Sequence, residues 1–138
     1  GGLHFWWPKM FGRMYDFKKA YAAAIMLTTG FVVHYMPMFV LGLQGMPRRY
    51  YDYLPQFEGG NFISGLGAYL MAFASALMFY NLIASLKKGE RAPSDPWGGT
   101  TLEWSLPSPP QMHNFESEPT VKEYPYDFTD VVKNARKS

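Results

Sequence analysis

Two long stretches without a formal charge constrain this chain more than any motif does. Positions 20–43 hold 24 consecutive residues, and positions 61–86 hold 26, with no Asp, Glu, Lys or Arg. At about 1.5 Å per residue these are helices of about 36 and 39 Å, long enough to cross a hydrocarbon core of about 30 Å with some tilt. The competing arrangement is a pair of buried helices in a soluble bundle. Such helices carry a polar stripe, and neither run has a charged one. The expectation is therefore an all-α membrane fold with two full transmembrane helices.

Both runs are suited to packing against other membrane helices. The second contains Ser64, Gly65, Gly67, Ala68, Ala72, Ala74, Ser75 and Ala76, small residues that let backbones approach where lipid supplies no hydrophobic drive. The first contains His34 and Pro37 at membrane depth. A proline there frees a backbone carbonyl and kinks the helix, and an intramembrane histidine is costly against lipid, so it should face protein or a cofactor. A hydrogen-bonded core histidine ranks ahead of a metal ligand, because His4, His34 and His113 have no ligand spacing.

Charges orient the spans. Lys9, Arg13, Lys18 and Lys19, opposed by Asp16, precede the first span, and Lys87, Lys88 and Arg91 follow the second. The positive-inside rule places both flanks in the cytoplasm and the intervening loop outside. That loop reads Gln-Gly-Met-Pro-Arg-Arg-Tyr-Tyr-Asp-Tyr from Gln44 to Tyr53. Arg48 and Arg49 sit on the side where topology gives them no help. An arginine fork matches a carboxylate or phosphate and stays charged at physiological pH. Two readings stand at this point: an anionic ligand, or two solvated loop arginines.

Five segments follow: 1–19, the end of a preceding transmembrane helix and a cytoplasmic loop; 20–43, a span; 44–60, the outer loop; 61–86, a span; and 87–138, a cytoplasmic tail. Residues 1–8 end in two tryptophans and Pro8, an aromatic belt before cytoplasmic charge, and read as the last turn of a helix whose beginning is missing. Residues 89–138 hold seven of the eleven prolines with eight acidic and five basic residues, so the tail should be extended, irregular and ordered mainly by docking. Zero cysteines exclude disulfides and thiolate metal sites. No phosphate loop, nucleophile elbow, zinc helix or basic nucleic-acid stripe is present, so no nucleic acid is expected as a partner.

The segments FWWPKMFGRMY, PMFVLGLQGMPRRYYDY and TTLEWSLPSPPQMHNF together resemble the C-terminal quarter of subunit I of the haem-copper respiratory oxidases, the cytochrome c oxidase catalytic subunit. The resemblance covers nearly the whole chain. It implies the last two helices of a twelve-helix subunit, the end of the helix before them and the cytoplasmic tail, as a fragment or as one product of a divided subunit. It implies a terminal oxidase that passes electrons from cytochrome c to oxygen with proton pumping, in a bacterial cytoplasmic (inner) membrane. The partners would be the remaining helices of subunit I, subunits II and III, and membrane lipid.

Under this resemblance Arg48 and Arg49 bind the propionates of two haems, keeping them ionised and raising the potential of the low-spin haem. Tyr50, Asp52 and Tyr53 would orient the arginines, and His34 and Tyr35 are candidates for packing against haem. The histidines that ligate haem and copper belong to helices not in this chain, so the chain alone is not expected to be active. The sequence departs from the family's common pattern at Phe39, where a histidine is usual, and at His34, where a small polar residue is usual. The alternative class is a non-enzymatic two-span assembly or structural protein.

Overall fold

The computed structural model describes residues 1–49, 51–115 and 118–119. Among them are three α-helices, α1 (Gly2–Phe11), α2 (Phe17–Leu43) and α3 (Glu58–Lys88), with 3-10 turns at Pro55–Phe57 and Leu102–Ser105. No strand occurs among the described residues, only an isolated antiparallel bridge between Arg13 and Arg91. Helices α2 and α3 are long and apolar enough to cross a membrane. Both extend past the uncharged runs because helix ends accommodate charge. Asp16 caps α2, Glu58 lies in the first turn of α3, and Lys87 and Lys88 lie in its last turn, each with the sign the helix dipole favours.

Two compact units share the chain, and α3 contributes to both. The first comprises Asp16–Asn81 and is an antiparallel pair of helices. The less exposed residues of α2 include Ala23, Met26, Gly30, Val33, Pro37 and Leu41, and those of α3 include Ser64, Gly67, Met71, Ala74, Met78 and Asn81. Steps of three and four are the seam of coiled-coil-like packing. The seam is tightest at its glycines. A Cβ added to Gly30 would lie 2.8 Å from Met71 Cγ and 3.0 Å from Gly67 O, and one added to Gly67 would lie 2.7 Å from His34 Cα. At the end of the pair where α2 begins, buried Asn81 spans the two helices. Its Oδ1 accepts from Asp16 N at 3.2 Å and its Nδ2 donates to Asp16 O at 2.9 Å.

Gly1–Tyr15 and the described residues from Leu82 onward form the second unit. Helix α1 does not end at Pro8, as the sequence suggested, but runs to Phe11 and closes on Gly12 at φ 65°. Buried Trp7 donates from Nε1 to Ser85 Oγ at 2.8 Å, which in turn donates to Leu82 O at 2.6 Å. Lys9 is 7% exposed and donates to Ser94 O and Leu106 O, both at 2.7 Å, with its Nζ 5.1 Å from the centre of the Trp104 ring. Trp97 Nε1 donates to Phe5 O at 2.9 Å. Thus the part of the tail up to Leu106 is ordered by docking on α1. Residues 120–138 of the expected tail lie outside the described residues.

Two outcomes test this account. Gly67→Ala should cost about 1–3 kcal/mol by overpacking against the α2 backbone, whereas Gly65→Ala, whose Cβ meets nothing within 4 Å, should be neutral or slightly stabilising. Unfolding of the full chain in one detergent reads both. The cap at Asp16 should add a pH dependence. Its carboxylate accepts from Lys19 N and Lys18 N and pairs with Lys19 Nζ at 3.3 Å, so its pKa lies below the ordinary aspartate range. A depressed carboxylate stabilises the fold above the unfolded pKa, and that contribution is lost as pH falls through the folded value. Asp16→Asn keeps a capping oxygen and should flatten this acid limb in a pH series of circular dichroism melts.

Candidate functional site

The loop between α2 and α3 belongs entirely to the first unit. Helix α2 ends in overlapping bonds: Gln44 N donates to Val40 O, Gly45 N to Gly42 O and Met46 N to Leu41 O, at 3.0–3.1 Å. Gly45 takes φ 84°, a conformation open to glycine. Pro47 then stiffens the chain immediately before Arg48 and Arg49. Arg49 adopts φ 61°, the left-handed region, which costs a non-glycine residue about 1 kcal/mol or more. The far side of the loop re-enters through Pro55–Phe57, with Phe57 buried. Asn61 ties the two sides together, with Nδ2 2.9 Å from Phe57 O and 3.6 Å from Met46 Sδ.

This arrangement leaves an open cleft of about 470 Å³ lined by Met38, Leu41, Gly42, Met46, Pro47, Arg48, Arg49 and Tyr53. Both arginines are exposed, and among the described residues neither has a hydrogen bond or ion pair. Two unpartnered guanidinium groups beside apolar side chains suit a ligand that carries carboxylates on an apolar body. Tyr53 shares the cleft with both arginines. Asp52 lies in the loop, where its Oδ1 accepts from Tyr53 N at 2.8 Å, and no hydrogen bond or ion pair joins it to Arg48 or Arg49. Tyr50 lies outside the described residues.

His34 and Tyr35 lie deeper along α2. The His34 ring faces α3, with Nδ1 2.9 Å from Ser64 O and 3.0 Å from Ser64 Oγ. In one tautomer Nδ1–H donates to the carbonyl; in the other the hydroxyl donates to bare Nδ1. Either way one ring nitrogen is engaged with α3, which accounts for a histidine at this depth. Tyr35 packs edge-on against His34 with centroids 4.6 Å apart, touches Phe31 at 4.5 Å and is 41% exposed. Phe39 points outward, 70% exposed. Among the described residues, no three His, Cys, Asp or Glu gather as a metal-binding group.

Sequence reasoning missed Asn61 as the tie across the loop and Ser64 as the partner of His34. Asn61 carried a signal, being an amide at the mouth of an apolar run. Ser64 carried none beyond its size, because its partner lies 30 residues away.

Comparison with known proteins places the chain among oxidase sequences. The family model for cytochrome c and quinol oxidase polypeptide I matches residues 1–70. Cytochrome c oxidase subunit 1 of Bacillus sp. (strain PS3) is 43% identical over 124 residues, covering 88% of this chain and 20% of that protein. Its counterpart in Thermostichus vulcanus is 42% identical over 127 residues, covering 92% and 23%. The heme-copper oxidase subunit I+III of Aeropyrum pernix is 40% identical over 124 residues, covering 88% and 15%. The chain therefore spans about a fifth of the length of the curated relatives it matches.

A double-mutant cycle with His34→Ala and Ser64→Ala should give a coupling of about 0.6–1.7 kcal/mol for the side-chain contact across the helices. Zero coupling in unfolding measurements would assign the hydroxyl a packing role alone.

Proposed function

The chain belongs to the cytochrome c and quinol oxidase polypeptide I family, and we propose that it forms part of the catalytic subunit of a terminal oxidase that reduces oxygen to water with electrons from cytochrome c, coupled to proton pumping. Its share of that work is to hold haem propionates with Arg48 and Arg49 and to pack against the other helices of the subunit. The haems, ligated from helices outside this chain, supply electron transfer and, with copper, the chemistry of oxygen reduction.

The observation that carries this reading is the cleft beside the arginine pair: two guanidinium groups with no partner of their own next to Met38, Leu41, Met46 and Pro47. Each fork offers paired N–H donors to a carboxylate, and its fixed charge favours the ionised form. The left-handed backbone at Arg49 sets the second guanidinium on a path that an ordinary extended or helical residue would not follow. Tyr53 lines the same cleft and, with Tyr50, would steady the arginines; Asp52 would act on them only through Tyr53, whose backbone N–H donates to it. His34 and Tyr35 would give the haem a protein face, with His34 positioned by Ser64.

The charge asymmetry on either side of α2 and α3 supports an orientation with the arginine loop outside and both flanks cytoplasmic, and the membrane would be a bacterial inner membrane. The partners would be the remaining helices of subunit I, subunits II and III, cytochrome c as donor, and lipid. The small-residue seam and the exposed apolar faces of both helices support such a setting, since unpaired helix surfaces of this kind are covered by neighbours or lipid.

Redox titration of Arg48→Gln and Arg49→Gln in the full complex tests the proposal. A charge-assisted bond is worth about 1.5–3 kcal/mol. If its loss fell wholly on one oxidation state, a midpoint would shift by on the order of 60–130 mV, which sets the upper bound. Turnover should slow, and lysine at either position should restore only part, since it returns the charge without the fork. Unchanged midpoints with normal turnover would assign the arginines to solvent, and a purified complex without haem would favour the non-enzymatic class.

A further inference from the structure

We propose that the second unit carries an anion site, distinct from the Arg48–Arg49 loop, in which Arg13 and Arg91 together hold a phosphate group. The bridge between these residues is flanked by Met14 N donating to Glu90 O at 2.9 Å and Ala92 N donating to Gly12 O at 3.0 Å. That pattern makes Arg13 and Arg91 a directly opposed, non-hydrogen-bonded pair, the closest cross-strand arrangement, with Cβ atoms about 4.5–5.5 Å apart. Like charges so placed repel each other. Both residues line a cleft of about 370 Å³ with Phe11, Gly12, Ala92, Ser108 and Pro109, and no carboxylate lines it. Glu90 precedes Arg91 in an extended stretch, where successive side chains alternate faces, and it pairs with neither arginine.

A structural role explains one arginine but not the other. Arg13 donates from Nη1 to Gly89 O at 3.0 Å and follows the carbonyl end of α1, where a cation is favourable. That bond uses one of its five N–H donors and fixes the orientation of the rest. Arg91 has no hydrogen bond or ion pair among the described residues. The cleft wall is built rather than incidental. Gly12 sits at φ 65°, and a Cβ there would lie 2.7 Å from Pro109 Cδ and 2.9 Å from Ser108 O, so only glycine lets this part of the tail close over the end of α1.

The position favours a lipid headgroup as the source of the phosphate. Arg13 lies just beyond the end of α1 and Arg91 just beyond the end of α3, next to Lys87 and Lys88. Basic clusters at the ends of membrane helices sit at the level of lipid phosphates and bind anionic headgroups. At about 30 Å³ per water, the cleft has room for a substituted phosphate and not merely a bare ion.

The test uses the full chain in its delipidated membrane complex. Phosphatidylglycerol, phosphatidylcholine and inorganic phosphate are titrated separately against wild type, Arg13→Gln and Arg91→Gln, with bound lipid read by native mass spectrometry and phosphate by phosphorus NMR. Phosphatidylglycerol should bind wild type and weaken about tenfold in either variant, the loss of one charge-assisted contact, while phosphatidylcholine binding is unchanged. Phosphate binding with the same arginine dependence, and no lipid selectivity, would keep the site and make free phosphate its ligand. Arg91→Gln is decisive because it removes no bond of the fold itself. Equal binding of both anions by wild type and Arg91→Gln overturns the proposal, as does a loss confined to Arg13→Gln.

Discussion

The first unit depends on the close backbone approach of α2 and α3. Membrane helices gain nothing by hiding apolar surface from lipid tails, so dispersion and hydrogen bonds at short range must hold them together. Gly30 against Met71 and Gly67 against His34 supply that range. The remaining contacts of the pair are built on it. His34 reaches Ser64 with one ring nitrogen, and Asn81 reaches both the N–H and the carbonyl of Asp16. These polar contacts near the middle and at one end set the register, and Leu41 against Gly60 continues the seam toward the loop. The arginine cleft inherits its geometry from that register, since Met38, Leu41 and Gly42 of α2 form part of its lining.

The second unit solves a different problem. A proline-rich tail has little periodic apolar surface and must be ordered by what it touches. Lys9 performs much of that task by placing an ammonium among carbonyls of two separate tail segments, Ser94 and Leu106. Burial pulls its pKa below the usual lysine value, while Asp95 and Glu103 act in the opposite direction. Trp104 covers the charge with its ring face, a cation–π contact, and also packs edge-on against Phe5 at 5.0 Å. Asp95 further organises the turn by accepting from Trp97 N and Gly99 N. The described part of the tail up to Leu106 is irregular yet specific, because Ser94, Trp97, Gly99 and Leu106 are each held by a named hydrogen bond.

Legibility from sequence followed the range of the interactions. The two long helices were readable because absence of charge over more than twenty positions is a local property of the chain. Their ends were less readable. Asp16, Glu58 and Lys88 are charged residues inside or at the limits of helices, and a rule based on charge stops short of them. Pro8 looked like a terminator, but the turn it disturbs is closed by Gly12 instead, through Gly12 N donating to Pro8 O at 2.8 Å. The arginine pair was conspicuous as charge on the side of the spans where topology did not ask for it. Its neighbour Asp52, which the resemblance implies as an orienting residue, accepts from Tyr53 N with one of its oxygens.

By itself the sequence determined the helical class, the two apolar segments, the conspicuous arginine pair and the family resemblance, because each rests on composition or order within a few dozen residues. Only the tertiary structure decided which of the many small residues form the seam, that Ser64 answers His34, that Asn61 ties the loop, and that Arg13 faces Arg91 across a cleft. These pairings join residues 15 to 78 positions apart. The physical reason is common to all of them. A side chain's periodicity records which face it occupies, but not what lies opposite, and the partner is chosen by backbone approach and by donors and acceptors meeting across the fold.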